Sequence, residues 1–304
     1  MNIQQCRYVV AIAKAGSFSE AAKQLYVTQP SLSSAVKDLE EELAVQLFIR
    51  SKSGVNLTEE GVDFLVYANR ILDQVDLLET HFQANYKKDF TITTQRYDFL
   101  SQPFLKVMHQ FKEEYQNFHL VETTTLKNIE SVRDFKSELG ILYLNKDNRR
   151  VLERYFQQEE LDFEPLGQFQ TQIFLKKDHP LAFKKIIYPQ ELLNYPQVRF
   201  SQEDQTAAVF NEDPIEAFDH QPVMYTNDRG TLMNLLCESD AYASGLGIVD
   251  SFINEHIVLR PLADATTHTL GIITNKKRKL TPIAKKFIEE VKETLAKRDN
   301  GTLT

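Results

Sequence analysis

The chain has 304 residues, 42% hydrophobic and 26% charged, a balance that excludes a disordered or fibrous protein and leaves room for two or three packed units. Its longest apolar stretches, such as residues 8–13, are far too short to span a membrane, and its first residues lack the regions of a secretory leader. A cytoplasmic protein without membrane contact is therefore expected, although a net charge of −8 speaks against a broadly basic nucleic-acid surface.

Residues 3–15 carry Ile3, Cys6, Val9, Val10, Ile12 and Ala13 in a pattern that suits a buried helix, closed by Gly16. Ser17 and Glu20 read as a capping box opening a second short helix through Ala21, Ala22 and Leu25. After a break at Tyr26 and Val27, Thr28 stands as the N-cap of a third helix, with Pro30 tolerated in its first turn. Leu32, Val36, Leu39 and Leu43 continue it at spacings of three and four. Two short helices joined by a tight turn, the second opening on small polar residues, form a helix-turn-helix pattern. Residues 51–57 then read as a hairpin wing, with Gly54 free to take positive φ.

Residues 1–88 hold nine Lys/Arg against eleven Asp/Glu, but no acid lies between Ala21 and Lys37 or between Leu43 and Thr58. DNA contacts are expected in those two stretches. Thr28 and Pro30 open the recognition helix, and Gln29, Ser31, Ser33, Ser34 and Lys37 are its candidates for base edges. Lys23, Arg50 and Lys52 are assigned to phosphates. So few cations per head imply that two or more heads bind together.

Thr58 caps the next helix, expected to run unbroken to about Lys88 with a seam of Leu65, Ala68, Leu72 and Val75, widened by Phe64, Ile71, Leu78 and Phe82. Such a seam serves either a partner helix or its own domain; its length favours the partner. From Asp89 strands and helices alternate: strands near 90–94, 119–123, 139–144, 172–175, 197–200 and 271–274, helices near 105–111, 129–135, 190–193, 231–238 and 283–295. That order predicts parallel sheets with covering helices.

The N-terminal residues resemble the LysR family of regulators. The match runs through Gly16-Ser-Phe-Ser-Glu-Ala-Ala22, Leu25, Val27-Thr-Gln-Pro-Ser-Leu-Ser33, Val36, Leu39-Glu40, Leu43, Leu47-Phe48, Arg50 and Leu57-Thr-Glu-Glu-Gly61. Weaker landmarks follow at residues 118–122, 139–144, 178–181 and 245–248. Two departures stand out. Ser34 replaces a large polar residue usual in the family, and Ala44 replaces a common glycine.

The resemblance implies a mixed fold: a mainly α winged helix-turn-helix at 1–58, a linker and dimerisation helix at 59–88, and at 89–304 a two-lobed α/β domain like type 2 periplasmic binding proteins. Lobe I would take 89–162 and 266–304 and lobe II 163–265, hinged near 161–164 and 265–268. It further implies double-stranded operator DNA of dyad symmetry, a homodimer and a tetramer, a small-molecule co-inducer, and RNA polymerase as a candidate partner. The implied effector residues are Gln95, Arg96, Tyr97, Asp98, Ser101, Arg199, Ser201, Gln202, Thr226, Asp228 and Arg229. Ser101 and Thr226 are expected to face each other across the cleft, and the mixture of cations and acid suits an amino acid or small anion.

Other signals fade. Residues 245–247 are too short for a phosphate loop, the seven histidines show no metal spacing, and no cofactor pattern or catalytic constellation emerges. Cys6 and Cys237 suit inert thiols in a reducing compartment, and residues 276–279 suit a solvated basic turn. A secreted solute-binding protein, an α/β enzyme and an architectural DNA-binding protein remain as alternative classes, told apart by export, turnover and a ligand-dependent footprint.

Overall fold

The computed structural model describes residues 1–51, 54–82, 87–201, 210, 213–215, 218, 221–249 and 255–299, leaving aside the side chains of Arg50, Ser51, His81, Arg298 and Asp299. Two compact units emerge, Met1–Tyr86 and Lys87–Thr304.

The first unit runs α1 (Ile3–Ala15), α2 (Phe18–Gln24), α3 (Gln29–Leu43), β1 (Phe48–Ser51), β2 (Gly54–Leu57) and α4 (Glu59–His81). Its helices start where side-chain acceptors meet free amides. Asn2 and Gln5 form a complete capping box on α1, and Gly16 closes that helix at φ 63°. Ser17 accepts from the Glu20 amide at 3.5 Å, and Thr28 from the Ser31 amide at 3.3 Å. Val9, Ile12, Phe18, Ala21, Leu32 and Leu39 form the core under the three helices. Gln5 fixes α3 to α1 by donating from Nε2 to the Ala35 carbonyl at 3.1 Å.

The wing is rooted on both sides. β1 and β2 pair antiparallel from Phe48 with Leu57 to Ser51 with Gly54, and the Val55 amide donates to the Gly16 carbonyl at 3.1 Å. The Glu40 carboxylate accepts from the amides of Leu47 and Phe48 at 2.7 and 3.2 Å. At the start of α4, Thr58 accepts from the Gly61 amide at 2.9 Å. A Cβ on Gly61 would lie 2.1 Å from the Leu47 carbonyl oxygen, so the close approach requires glycine.

One expectation about this helix needs correction. The long helix ends at His81, and Lys88 already belongs to a strand, because no Gly or Pro marks the stop and the helical apolar spacing continues through Phe82. The helix begins at Glu59, capped by Thr58, as expected. Ala68, flanked by Phe64, Leu65 and Leu72, shares an apolar cluster with Cys6 and Val10, so α4 packs as part of the first unit.

The second unit begins β3 (Lys88–Thr94), α5 (Ser101–Phe111), β4 (Tyr115–Glu122), α6 (Thr125–Arg133), β5 (Leu139–Leu144), α7 (Arg149–Gln158) and β6 (Leu161–Gln170). It continues β7 (Gln172–Lys176), α8 (Pro189–Leu192), β8 (Gln197–Phe200), β9 (Val223–Thr226), α9 (Arg229–Glu238), β10 (Ala243–Gly245), β11 (Ile257–Pro261), β12 (Thr267–Asn275) and α10 (Pro282–Asp299).

Lobe I is a five-stranded sheet ordered β4-β3-β5-β12-β6. The expected parallel pairing holds for β3 with β4 and with β5, but β12 runs antiparallel to both β5 and β6. Lobe II combines an antiparallel sheet β10-β7-β11 with a parallel pair β8-β9. Strand direction depends on the route of the returning chain, which local residue patterns do not encode.

The lobe boundary also moves. β6 pairs with β12 over its whole length, Leu161 with Asn275 and Gln170 with Thr267, so a division at 162/163 would cut a strand. The chain instead leaves lobe I at Thr171 and returns at Thr267. Between these strands the Thr171 hydroxyl and the His268 ring share a hydrogen bond of 2.8 Å. Leu246 and Ile248, from the stretch after β10, pack into the lobe I core with Phe90, Ile92 and Leu270. The lobes therefore meet through apolar packing as well as two strands, and opening would expose it.

Candidate DNA-binding and ligand-binding sites

The start of α3 presents a small polar face. Pro30, Ser31 and Ser34 are exposed, and Gln29 and Ser33 are half-buried. Thr28 is exposed but its side chain caps the helix. Lys23 and Lys37 extend from the surface, paired loosely with Glu20 at 3.6 Å and Glu41 at 3.3 Å. Exposed pairs of this kind contribute little to stability and exchange readily for phosphate. Lys52 lies outside the described residues, as does the side chain of Arg50. The sequence reading missed Tyr26, whose side chain in the turn before α3 is 97% exposed on a backbone of φ 55°. Positive φ is unusual for a bulky residue, and that was the signal unreadable without coordinates.

Between the lobes of the second unit lies a cavity of about 80 Å³. Of the expected effector residues, Gln95, Arg96, Tyr97, Asp98 and Arg229 line it. Gln95 is held inside lobe I. Its Nε2 donates to Thr125 Oγ1 at 2.7 Å, and its Oε1 accepts from the Tyr97 hydroxyl at 2.7 Å and the Tyr143 amide at 3.1 Å.

The others do not meet there. Ser101 donates its hydroxyl to the Asp98 carbonyl at 2.8 Å. Thr226 accepts from the Asp228 amide and donates to the Asp228 carbonyl, each at 3.3 Å, so the expected pair of cleft hydroxyls is engaged locally instead. Asp228 caps α9 and accepts from the amides of Gly230 and Thr231; its hydrogen bonds to Thr231 hold its carboxyl below the usual range. The Ser201 amide donates to the Thr226 carbonyl at 2.7 Å. Arg199 is buried beside Asp213, Nε to Oδ2 at 3.2 Å, behind the cavity wall. Burial pushes the Asp213 carboxyl up to about 6, against the pull of Arg199. Gln202 lies outside the described residues.

The sequence reading missed most of the wall: Tyr143, Phe174, Phe200, Leu232, Met233 and Ile248 also line the cavity. Charged contacts cross it from lobe to lobe. Arg229 of α9 pairs with Glu122 at the end of β4 and with Asp98 at 3.7 Å. Burial raises the Glu122 carboxyl above its ordinary range. Arg96 lies 4.4 Å from the ring centroid of Phe200 and donates to the Asn227 carbonyl at 3.4 Å.

A winged helix-turn-helix followed by a two-lobed α/β domain around a cavity defines a class, the ligand-responsive DNA-binding regulators. Residues 3–62 match the profile "Bacterial regulatory helix-turn-helix protein, lysR family", and residues 97–296 match "LysR substrate binding domain". The chain belongs to the LysR family. It is 28% identical to the Hca operon transcriptional activator HcaR of Escherichia coli (strain K12), covering 97% of this chain and 99% of that one. It is 26% identical to the uncharacterized HTH-type transcriptional regulator YvbU of Bacillus subtilis (strain 168), over 96% and 98% of the two chains. An OxyR mutant of Corynebacterium glutamicum shares the fold at a TM-score of 0.52 and 19% identity, covering 100% of this chain and 97% of that one. The protein is thus a DNA-binding transcriptional regulator with a C-terminal effector-binding domain, and not an enzyme. Among the described residues, no helix is long and apolar enough to cross a membrane.

Proposed function

We propose that Pro30, Ser31, Ser34 and the exposed part of Gln29 enter the major groove, with Tyr26 at its edge and Lys23, Lys37, Arg50 and Lys52 on flanking phosphates. The observation that carries this reading is the start of α3, small, polar and exposed on a helix whose other face is buried. Short side chains let the helix approach base edges closely, and serine hydrogen-bonds to either base type. Two heads joined through α4 engage dyad-related half-sites, and dimers pair into a tetramer. A small effector in the cavity of the second unit changes the DNA footprint, and RNA polymerase is the candidate partner of the bound regulator.

The test is an operator selected from random DNA and read by fluorescence anisotropy. Ser34→Ala and Gln29→Ala are expected to lose discrimination at single base positions, by about 1–3 kcal/mol where a bidentate contact goes. Lys23→Ala is expected to weaken all sequences alike and to flatten the salt dependence. Unchanged sequence preference in both α3 variants would remove α3 as the reading helix.

A further inference from the structure

The cavity lining divides into two chemistries. Phe174 of β7, Leu232 and Met233 of α9 and Ile248 give it an apolar wall. Arg96, Arg229 and Ser244 bring donors to the same space, and the Ser244 hydroxyl oxygen is buried without a hydrogen-bond partner among the described residues. A buried hydroxyl without a partner is unfavourable, and a ligand oxygen would satisfy it. About 80 Å³ accommodates a molecule of roughly five to eight non-hydrogen atoms, taking each to need the space of one water.

We propose that this cavity, read above as the effector site, takes a small monocarboxylate with a branched or ring-shaped apolar body, its carboxylate replacing Glu122 on Arg229. The body lies against Leu232, Met233 and Ile248, and the acid satisfies the guanidinium that now joins the two lobes. Glu122 is the partner that gives way. Its side chain is 35% exposed, so it can turn to water, whereas Asp98 is only 18% exposed. Burial raises the Glu122 carboxyl above its ordinary range, a cost that is relieved when it turns to water.

Other ligand classes fit less well. An amino acid would bring an ammonium next to two guanidiniums, while the cavity's carboxylates Asp98 and Asp213 already hold Arg229 and Arg199. A dicarboxylate would place a second charge against the apolar wall, where an unpaired ion is strongly disfavoured.

Calorimetric titration of the full chain with four probes tests this. The probes are 3-methylbutanoate, its neutral isostere 3-methylbutanamide, L-valine as the same body with an ammonium, and succinate. The acid is expected to bind at least about tenfold more tightly than each of the others, the size of a charge-assisted bidentate contact. Arg229→Gln is expected to erase the preference of acid over amide, and Met233→Asn to weaken both together. Equal binding of acid and amide to the unaltered chain overturns the proposal without any variant having to fold. Tighter binding of valine or succinate that still depends on Arg229 overturns the ligand class but leaves the cavity as the effector site. No heat from any of the four also overturns the class. Binding unchanged in both variants overturns the cavity itself, and with it the reading of the effector site.

Discussion

Cys6 of α1 and Ala68 of α4 are buried in one apolar cluster, with Leu65 and Leu72 packed against it. The inner edge of the expected seam therefore serves the fold of a single chain. Among the apolar residues left on the outside, Tyr67, Ile71 and Leu78 are 64%, 38% and 59% exposed and are spaced four and seven residues apart along one face. Together with Gln74 and Val75 they line a shallow groove. A second α4 covering this stripe is the pairing that the proposed dimer requires.

The two edges predict different failures. Ile71→Asp should yield monomers in sedimentation while leaving secondary structure intact, because it charges only the outer stripe. Leu72→Asp should lower stability by about 2–4 kcal/mol in urea denaturation, because it places a carboxylate against Cys6 and Val10. An Ile71→Asp chain that stays dimeric would place the interface elsewhere.

Ala44 closes α3 in the left-handed region at φ 54°, where a Cβ is unfavourable by about 1–2 kcal/mol. Ala44→Gly removes that strain, and the greater freedom of glycine in the unfolded chain offsets part of it. A net gain of about 0.5–1 kcal/mol is expected, read as a higher urea midpoint at unchanged slope. Any loss would contradict the strain assigned to this cap.

Burial holds the His268 ring at about 4, well below the ordinary histidine value of 6.5. A lowered folded value means the neutral ring is the folded form. Its contribution is complete above pH 6.5 and is lost as pH falls toward 4. The loss amounts to about 3 kcal/mol, at roughly 1.4 kcal/mol for each tenfold change in proton affinity. His268→Gln should therefore flatten the acid limb of stability between pH 6.5 and 4 relative to the parent. Parallel limbs would show that another group titrates there.

Gly247 sits at φ 72°, and a Cβ would meet Cγ of Gln172 at 2.3 Å. Gly247→Ala should lower stability by about 2–4 kcal/mol and weaken ligand binding, since the same backbone lines the cavity. Gly245→Ala should do less, because its nearest obstacle is the ring edge of Phe174 at 2.9 Å. Equal losses in the two variants would argue against a backbone cause at Gly247.

The head was legible because its signals are local. Thr28, Thr58 and Gly16 act within three or four residues of themselves, and the structure finds each of them at the end of its helix. The polar rim of the cavity came from the family resemblance instead, which implies ligand contacts just after the first strand, where Arg96, Tyr97 and Asp98 stand. The apolar wall was not legible. Leu232 and Met233 have the spacing of any helix face, and a residue that lines a cavity reads the same as one that fills a core. Ser101 and Thr226 looked like free donors because a sequence does not show which hydroxyls the neighbouring backbone already engages.

The approach of Gly61 to Leu47 has a mechanical side. Thr58 donates its hydroxyl to the Gln46 carbonyl at 2.5 Å and its amide to the Leu47 carbonyl at 3.0 Å, while Glu40 of α3 holds the Leu47 amide. α4, the wing and α3 therefore converge on the two peptide units that flank Leu47. Head and α4 turn together like a key. On the proposed reading of α3, a signal that shifts the start of α4 therefore shifts α3 and the wing with it.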